Sequence, residues 1–137
     1  MTKNEQPSVL IVDDENANLE AFGRIFRNQF SMHFCNAPQE ALDLLKRKSF
    51  DLIVADHAMP DMTGVEFLTA AKELAPESGR MIVTGYPDLP EVRDADDSGL
   101  TAAVIIKPWK QEEIHYWVQH FYKIRHQDHK ETKVQSC

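Results

Sequence analysis

Five polar side chains stand where short apolar runs of the sequence end. The runs are residues 9–12, before Asp13 and Asp14; 52–55, before Asp56; 81–83, before Thr84; and 104–106, before Lys107. Nearly uninterrupted apolar runs of this length are typical of strands buried on both faces of a parallel sheet. Because the carboxyl ends of parallel strands share one edge of the sheet, we expect the three carboxylates, the hydroxyl and the ammonium to converge there.

This set of side chains predicts phosphoryl chemistry. Carboxylates crowded together repel one another, and a bound cation offsets the repulsion. Oxygen ligands without a nearby cysteine suit Mg²⁺. Asp56 is then predicted to be the nucleophile that attacks phosphorus and forms an acyl phosphate. Lys107 would offset charge on the transferred oxygens, and Thr84 would donate a hydrogen bond to them.

The elements that must position these residues alternate regularly along the chain. Strands are predicted over residues 9–12, 31–35, 50–55, 81–84 and 102–106, and each is followed by a stretch with helical apolar spacing. This alternation predicts an α/β fold in which five parallel strands carry helices on both faces. Segment 31–35 is the poorest strand and is expected at a sheet edge. Segment 88–97 has the thinnest apolar face of the helices.

Composition limits the class of protein. The chain has 137 residues, of which 42% are hydrophobic and 27% charged, so one globular domain is expected. The net charge of -7 argues against direct nucleic-acid binding, which depends largely on Lys and Arg. No apolar stretch approaches the ~20 residues that a membrane helix needs. The polar first eight residues contain no secretory apolar region, and the two distant cysteines suggest no disulfide framework, so a cytoplasmic location is predicted.

Four motifs in this order resemble the receiver domain of two-component response regulators. They are Asp13-Asp14, the segment Asp56-His-Ala-Met-Pro-Asp-Met-Thr-Gly64, Thr84-Gly85 and Lys107-Pro108. The resemblance covers residues 7–125, and residues 126–137 are expected to form a polar C-terminal tail. It implies the flavodoxin-like (βα)5 fold, a doubly wound parallel sheet with strand order 2-1-3-4-5.

The resemblance also implies a function and a role for each site residue. Asp56 is expected to accept a phosphoryl group from a sensor histidine kinase or a phosphotransfer protein. Asp14, Asp56 and the backbone carbonyl of Ala58 are expected to bind Mg²⁺, with Asp13 contributing through water. Lys107 matches the phosphate-pairing lysine, whose bond to the following proline is commonly cis. The signal is expected to be passed on by binding to a downstream protein target or to a second copy of the chain, as a homodimer.

The sequence departs from the family pattern, which leaves alternatives open. Three residues before Lys107, where the family usually has Tyr or Phe, the chain has Val104. Ala58 and Tyr86 are both poorly suited to position an attacking water, which predicts a long-lived phosphoryl group. One alternative is a phosphorylation-independent interaction module with the same fold. Another is a hydrolase of the haloacid-dehalogenase type, although Ala58 stands where that class usually has its second Asp.

Overall fold

Five parallel strands form one sheet, in the order β2-β1-β3-β4-β5. The strands are β1 (Ser8–Val12), β2 (Ser31–Cys35), β3 (Leu52–Asp56), β4 (Gly79–Thr84) and β5 (Ala103–Ile106). The structure is a computed structural model, which describes the backbone of residues 6–135 and the side chains of residues 6–126. The predicted flavodoxin-like fold and strand order are confirmed. The polar segment 31–35 is an edge strand, as expected, and most of its residues are at least partly exposed.

A helix follows each strand. The helices are α1 (Asn16–Ile25), α2 (Pro38–Leu45), α3 (Gly64–Leu74), α4 (Pro90–Asp97) and α5 (Gln111–Gln135). Local sequence explains several starts: α2 and α4 begin with proline, whose fixed φ suits the first helical turn. Helix α3 begins with a capping box in which Thr63 and Glu66 each bind the other's backbone N–H.

Helix α5 extends past residue 126, where the sequence predicted a polar tail to begin. The side chains of residues 127–137 lie outside the described residues, so the boundary between domain and tail stays a prediction. Within the described part of the chain, no helix is both long and apolar enough to cross a membrane.

The core lies on both faces of the sheet. Strand residues alternate between the two faces, so Leu10 and Ile53 pack on one side while Ile11 and Val54 pack on the other. Helices α2, α3 and α4 cover the first face, and α1 and α5 cover the second. The central strands are therefore buried on both sides, which explains their continuous apolar sequences.

The buried side chain of Asp51 links the amino end of the sheet to α5 through a hydrogen bond and an ion pair. Its Oδ2 accepts a hydrogen bond of 2.8 Å from the backbone N–H of Ser8, at the start of β1. Its Oδ1 lies 2.9 Å from the Arg125 guanidinium and 3.3 Å from the His126 imidazole. A buried carboxylate needs such partners, and they hold α5 against the sheet at the edge opposite the predicted site.

Candidate functional site

The strand register brings the predicted acidic residues together. Val12 pairs with Ala55 across neighbouring strands, so Asp13 and Asp56 leave β1 and β3 at the same level. One carboxylate oxygen from each of Asp13, Asp14 and Asp56 lies within 4.8 Å of the others. The predicted convergence of the three carboxylates is present in the structure.

Asp13 is held rigidly in this cluster. Its two carboxylate oxygens accept hydrogen bonds from the Glu15 backbone N–H at 2.9 Å and from the Asn18 side-chain amide at 3.0 Å. Burial is the largest influence on this carboxyl group and raises its pKa, and the nearby charge of Asp56 raises it further. The hydrogen bonds oppose this shift without cancelling it. A negative charge that is fixed and poorly solvated favours a bound cation.

Lys107, which follows the edge strand β5, adds a positive charge to the acidic cluster. Its ammonium nitrogen lies 2.7 Å from Oδ1 of Asp56, whose side chain is only 4% exposed. Partial burial acts to lower the pKa of Lys107, but its contact with Asp56 and the charge of Asp13 outweigh burial and raise this pKa. The bond between Lys107 and Pro108 is cis, as the family resemblance implied.

Thr84 ends strand β4, between the strands that carry Asp56 and Lys107. Its side chain is buried, and its Oγ1 accepts a hydrogen bond of 2.9 Å from the Tyr86 backbone N–H. Since this contact uses a lone pair, the hydroxyl proton remains available for donation. The Thr84 carbonyl accepts a 2.9 Å hydrogen bond from the Lys107 backbone N–H, which fixes the two residues relative to each other.

The residues present fit a magnesium ion. The acidic cluster supplies only oxygen ligands, which is the donor set that Mg²⁺ prefers. Ala58 is exposed in the loop after β3, and its carbonyl accepts no hydrogen bond from any described residue, so its lone pairs are available. The individual roles of Asp13, Asp14, Asp56 and Ala58 as ligands stay predictions.

A cavity of about 520 Å³ opens beside the carboxylates. Asp13, Asp56 and Lys107 line one part of it, and Phe22 and Trp109 form an apolar wall between α1 and the start of α5. The ring centroids of Phe22 and Trp109 are 5.4 Å apart. The cavity therefore reaches Asp56, whose side chain is only 4% exposed.

Two contacts at this edge were not foreseen from the sequence. The Asn18 amide fixes Asp13, and the buried His57 imidazole lies 3.4 Å from Glu91 of α4. The one available signal for Asn18 is that it lies on the first turn of the helix that follows the acidic pair. For His57 and Glu91 the sequence gives none, since they are 34 residues apart on different elements.

Fold and site together define a class: doubly wound α/β proteins with an acidic, lysine-paired site at the carboxyl edge of the sheet. The family model described as "Response regulator receiver domain" matches residues 9–119. The chain therefore belongs to the response regulator receiver domain family. Members of this family are signalling modules of two-component systems.

Individual relatives agree with this assignment. The hydrogenase transcriptional regulatory protein HoxA of Cupriavidus necator is 34% identical over 106 residues, which are 77% of this chain and 22% of that protein. The autoinducer 2 sensor kinase/phosphatase LuxQ of Vibrio vulnificus is 32% identical over 131 residues, covering 82% of this chain and 14% of that protein. The chain thus spans about a fifth or less of these curated relatives' length.

Solved structures show the same fold. A CheY-like response regulator receiver domain protein from Methanospirillum hungatei has a TM-score of 0.81 at 26% identity, over 90% of this chain and 98% of that one. An adenylate cyclase from Rhodopirellula baltica has a TM-score of 0.83 at 26% identity, over 93% of this chain and 98% of that one.

Proposed function

We propose that this chain is a phosphoacceptor, which takes a phosphoryl group on Asp56 in a Mg²⁺-dependent reaction. The donor would be a phosphohistidine of a sensor histidine kinase or of a phosphotransfer protein. The observation that carries the proposal is the arrangement around Asp56: an ammonium 2.7 Å from its carboxylate, beside two further carboxylates. That combination places positive charge where phosphoryl oxygens would arrive and leaves acidic oxygens for a cation.

The chemistry is nucleophilic substitution at phosphorus. A carboxylate oxygen of Asp56 attacks the phosphorus atom, the P–N bond of the donor breaks, and its electron pair returns to the donor imidazole. Asp13, Asp14, Asp56 and the Ala58 carbonyl would hold a Mg²⁺ ion, which would supply charge neutralisation for the transferred group. Lys107 moves its ion pair from the Asp56 carboxylate to a phosphoryl oxygen, and the Thr84 hydroxyl donates to another. The attachment of Asp56 to a central strand keeps the nucleophile in position throughout.

The output is a change in protein contacts. The phosphoryl group carries about -1.5 to -2 charges. Because the Asp56 carboxylate loses its own charge when it is acylated, the net gain beside Lys107 and Thr84 is about -0.5 to -1. Helix α4 is expected to be the most easily displaced: it buries only Val92 and Ala95, whereas α1, which also buries two side chains, buries the larger Leu19 and Phe22. Its movement would change affinity for a downstream protein target or for a second copy of the chain. The proposal includes a cytoplasmic location and no direct contact with nucleic acid or membrane.

Intact-mass measurement after incubation with acetyl phosphate and Mg²⁺ tests the proposal. The wild type should gain the mass of one phosphoryl group, Asp56→Asn should gain none, and Asp61→Asn, which alters an exposed acid of the same loop, should behave as the wild type. A wild type that gains no mass would leave the phosphorylation-independent module as the better account. Repeated turnover of a phosphate ester would support the hydrolase instead.

A further inference from the structure

The residue directly after the predicted phosphoacceptor is a histidine buried inside the domain. The side chain of His57 is 5% exposed, and its backbone is fixed at three points. Its N–H donates to the Val83 carbonyl at 3.1 Å, and its own carbonyl accepts from the N–H groups of Met59 and Gly64, both at 3.0 Å. These contacts couple the position of the imidazole to the backbone of β4, of the loop after Asp56 and of the start of α3.

The start of α3 closes tightly around this backbone. A Cβ atom at Gly64 would lie 2.7 Å from the Asp56 carbonyl oxygen and 2.8 Å from the His57 Cα, distances that no side chain tolerates. Glycine at this position allows the start of α3 to pack directly against the two residues. His57 consequently has little freedom to relax independently of Asp56.

The hydrogen bonding of the imidazole is incomplete. Nε2 lies 3.4 Å from a carboxylate oxygen of Glu91, which is long for a hydrogen bond. Nδ1 is buried and has no hydrogen-bond partner among the residues that the structure describes. A buried polar atom without a partner costs free energy, so a small shift that improves either contact changes the balance between two arrangements.

Glu91 connects this imidazole to a helix that has few other attachments. It lies in the first turn of α4, whose buried residues are only Val92 and Ala95. Its pKa is lowered, first by a hydrogen bond from its own backbone N–H and next by His57. The contact with His57 is thus a direct polar link between α4 and the loop that carries Asp56.

No aromatic side chain stands three residues before Lys107. Val104 stands where the family usually has Tyr or Phe, and it packs half-buried against the core cluster that includes Ile82 and Val92. A valine has no ring that could swing inward and fill the space beside Thr84. A signal from Asp56 to α4 therefore needs other residues.

We propose that His57 is the positioning residue through which the phosphorylation state of Asp56 reaches α4, by way of its contact with Glu91. The inference rests on the proposed function, since it assumes that Asp56 is phosphorylated. Phosphorylation shifts the loop after β3, the imidazole moves with it, and the contact with Glu91 shortens or breaks. The position of α4 then differs between the two states.

Amide hydrogen exchange along α4, with and without acetyl phosphate and Mg²⁺, tests this link at one fixed pH. The variants are Glu91→Ala, Glu91→Gln, which keeps a hydrogen-bonding group, and Asp94→Ala, which removes another exposed acid from the same helix. Glu91 is half-exposed, so its substitution should leave the fold intact. Intact mass on the same samples reports phosphorylation separately.

We expect phosphorylation to change exchange in α4 of the wild type and of Asp94→Ala by about 3- to 10-fold, the effect of making or losing one polar contact. In Glu91→Ala the change should largely disappear although its mass gain equals that of the wild type, and Glu91→Gln should restore part of it. An unchanged response in phosphorylated Glu91→Ala would overturn the role of His57 and leave the proposed function standing. Absence of any mass gain in the wild type would overturn the proposed function, and this inference with it.

Discussion

Replacing Asp13 by asparagine should stabilise the protein when no divalent cation is present. At 4.8 Å, the largest separation within the acidic cluster, two unit charges repel by about 3.5 kcal/mol at an effective dielectric constant near 20, and by about 0.9 kcal/mol in water. Lys107 already compensates Asp56, and asparagine can still accept the hydrogen bond from the Glu15 N–H. The Asn18 amide must flip, so that its oxygen accepts a hydrogen bond from the new NH2 group. We therefore expect a net gain of about 1–2 kcal/mol, or roughly 3–7 °C in Tm.

The raised pKa of Asp13 also predicts that its ionised side chain lowers the stability of the folded protein. The pKa of Asp13 in the folded protein lies above its ordinary value of 3.8, chiefly because of burial. A raised pKa means that the contribution of this group to stability is present below pH 3.8 and is lost as the pH rises through the higher folded value. At pH 7 the ionised side chain therefore destabilises the fold.

Thermal unfolding at pH 7 measures this effect, first in EDTA and then over a range of Mg²⁺ concentrations. At ten times its Kd, a ligand that binds only the folded state adds about 1.4 kcal/mol, so the wild type should recover most of the difference. Asp13→Asn should gain less from Mg²⁺, and Asp61→Asn should match the wild type throughout. A Tm of Asp13→Asn below that of the wild type in EDTA would refute the reasoning.

Three further outcomes are expected. Lys107→Met should slow phosphorylation by acetyl phosphate about 100-fold or more. The raised pKa of Lys107 means that its ammonium group stabilises the wild type below pH 10.5 and that this stability is lost as the pH rises further. The Tm of Lys107→Met should therefore lack this loss at alkaline pH. The phosphoryl group should persist well beyond seconds in a time course of intact mass, because neither Ala58 nor the exposed Tyr86 positions an attacking water. Ala58→Asn should shorten the lifetime of the phosphoryl group. A half-life of seconds in the wild type would contradict the prediction. Gly79→Ala should lower the unfolding free energy by about 1–3 kcal/mol in urea, because its Cβ would lie 2.5 Å from the Phe121 ring; an unchanged midpoint would count against that packing.

The sequence by itself determined the sheet and the members of the site. The alternation of apolar runs with helical spacing indicated parallel strands, and in a parallel sheet the runs that end in Asp13, Asp56, Thr84 and Lys107 share one carboxyl edge. The weak apolar face of residues 88–97 likewise indicated a helix with little buried surface, and α4 buries only Val92 and Ala95; that it is the most loosely held helix stays a prediction.

Only the tertiary structure decided which polar residues meet across elements. His57 and Glu91 are 34 residues apart, and Asp51 and Arg125 are 74 apart. In the sequence each of them resembles an ordinary surface charge, because burial of a polar side chain leaves no periodic signal. The residue that each of these side chains contacts depends on how the crossover helices pack on the sheet. The spacing of residues along the chain does not contain that information.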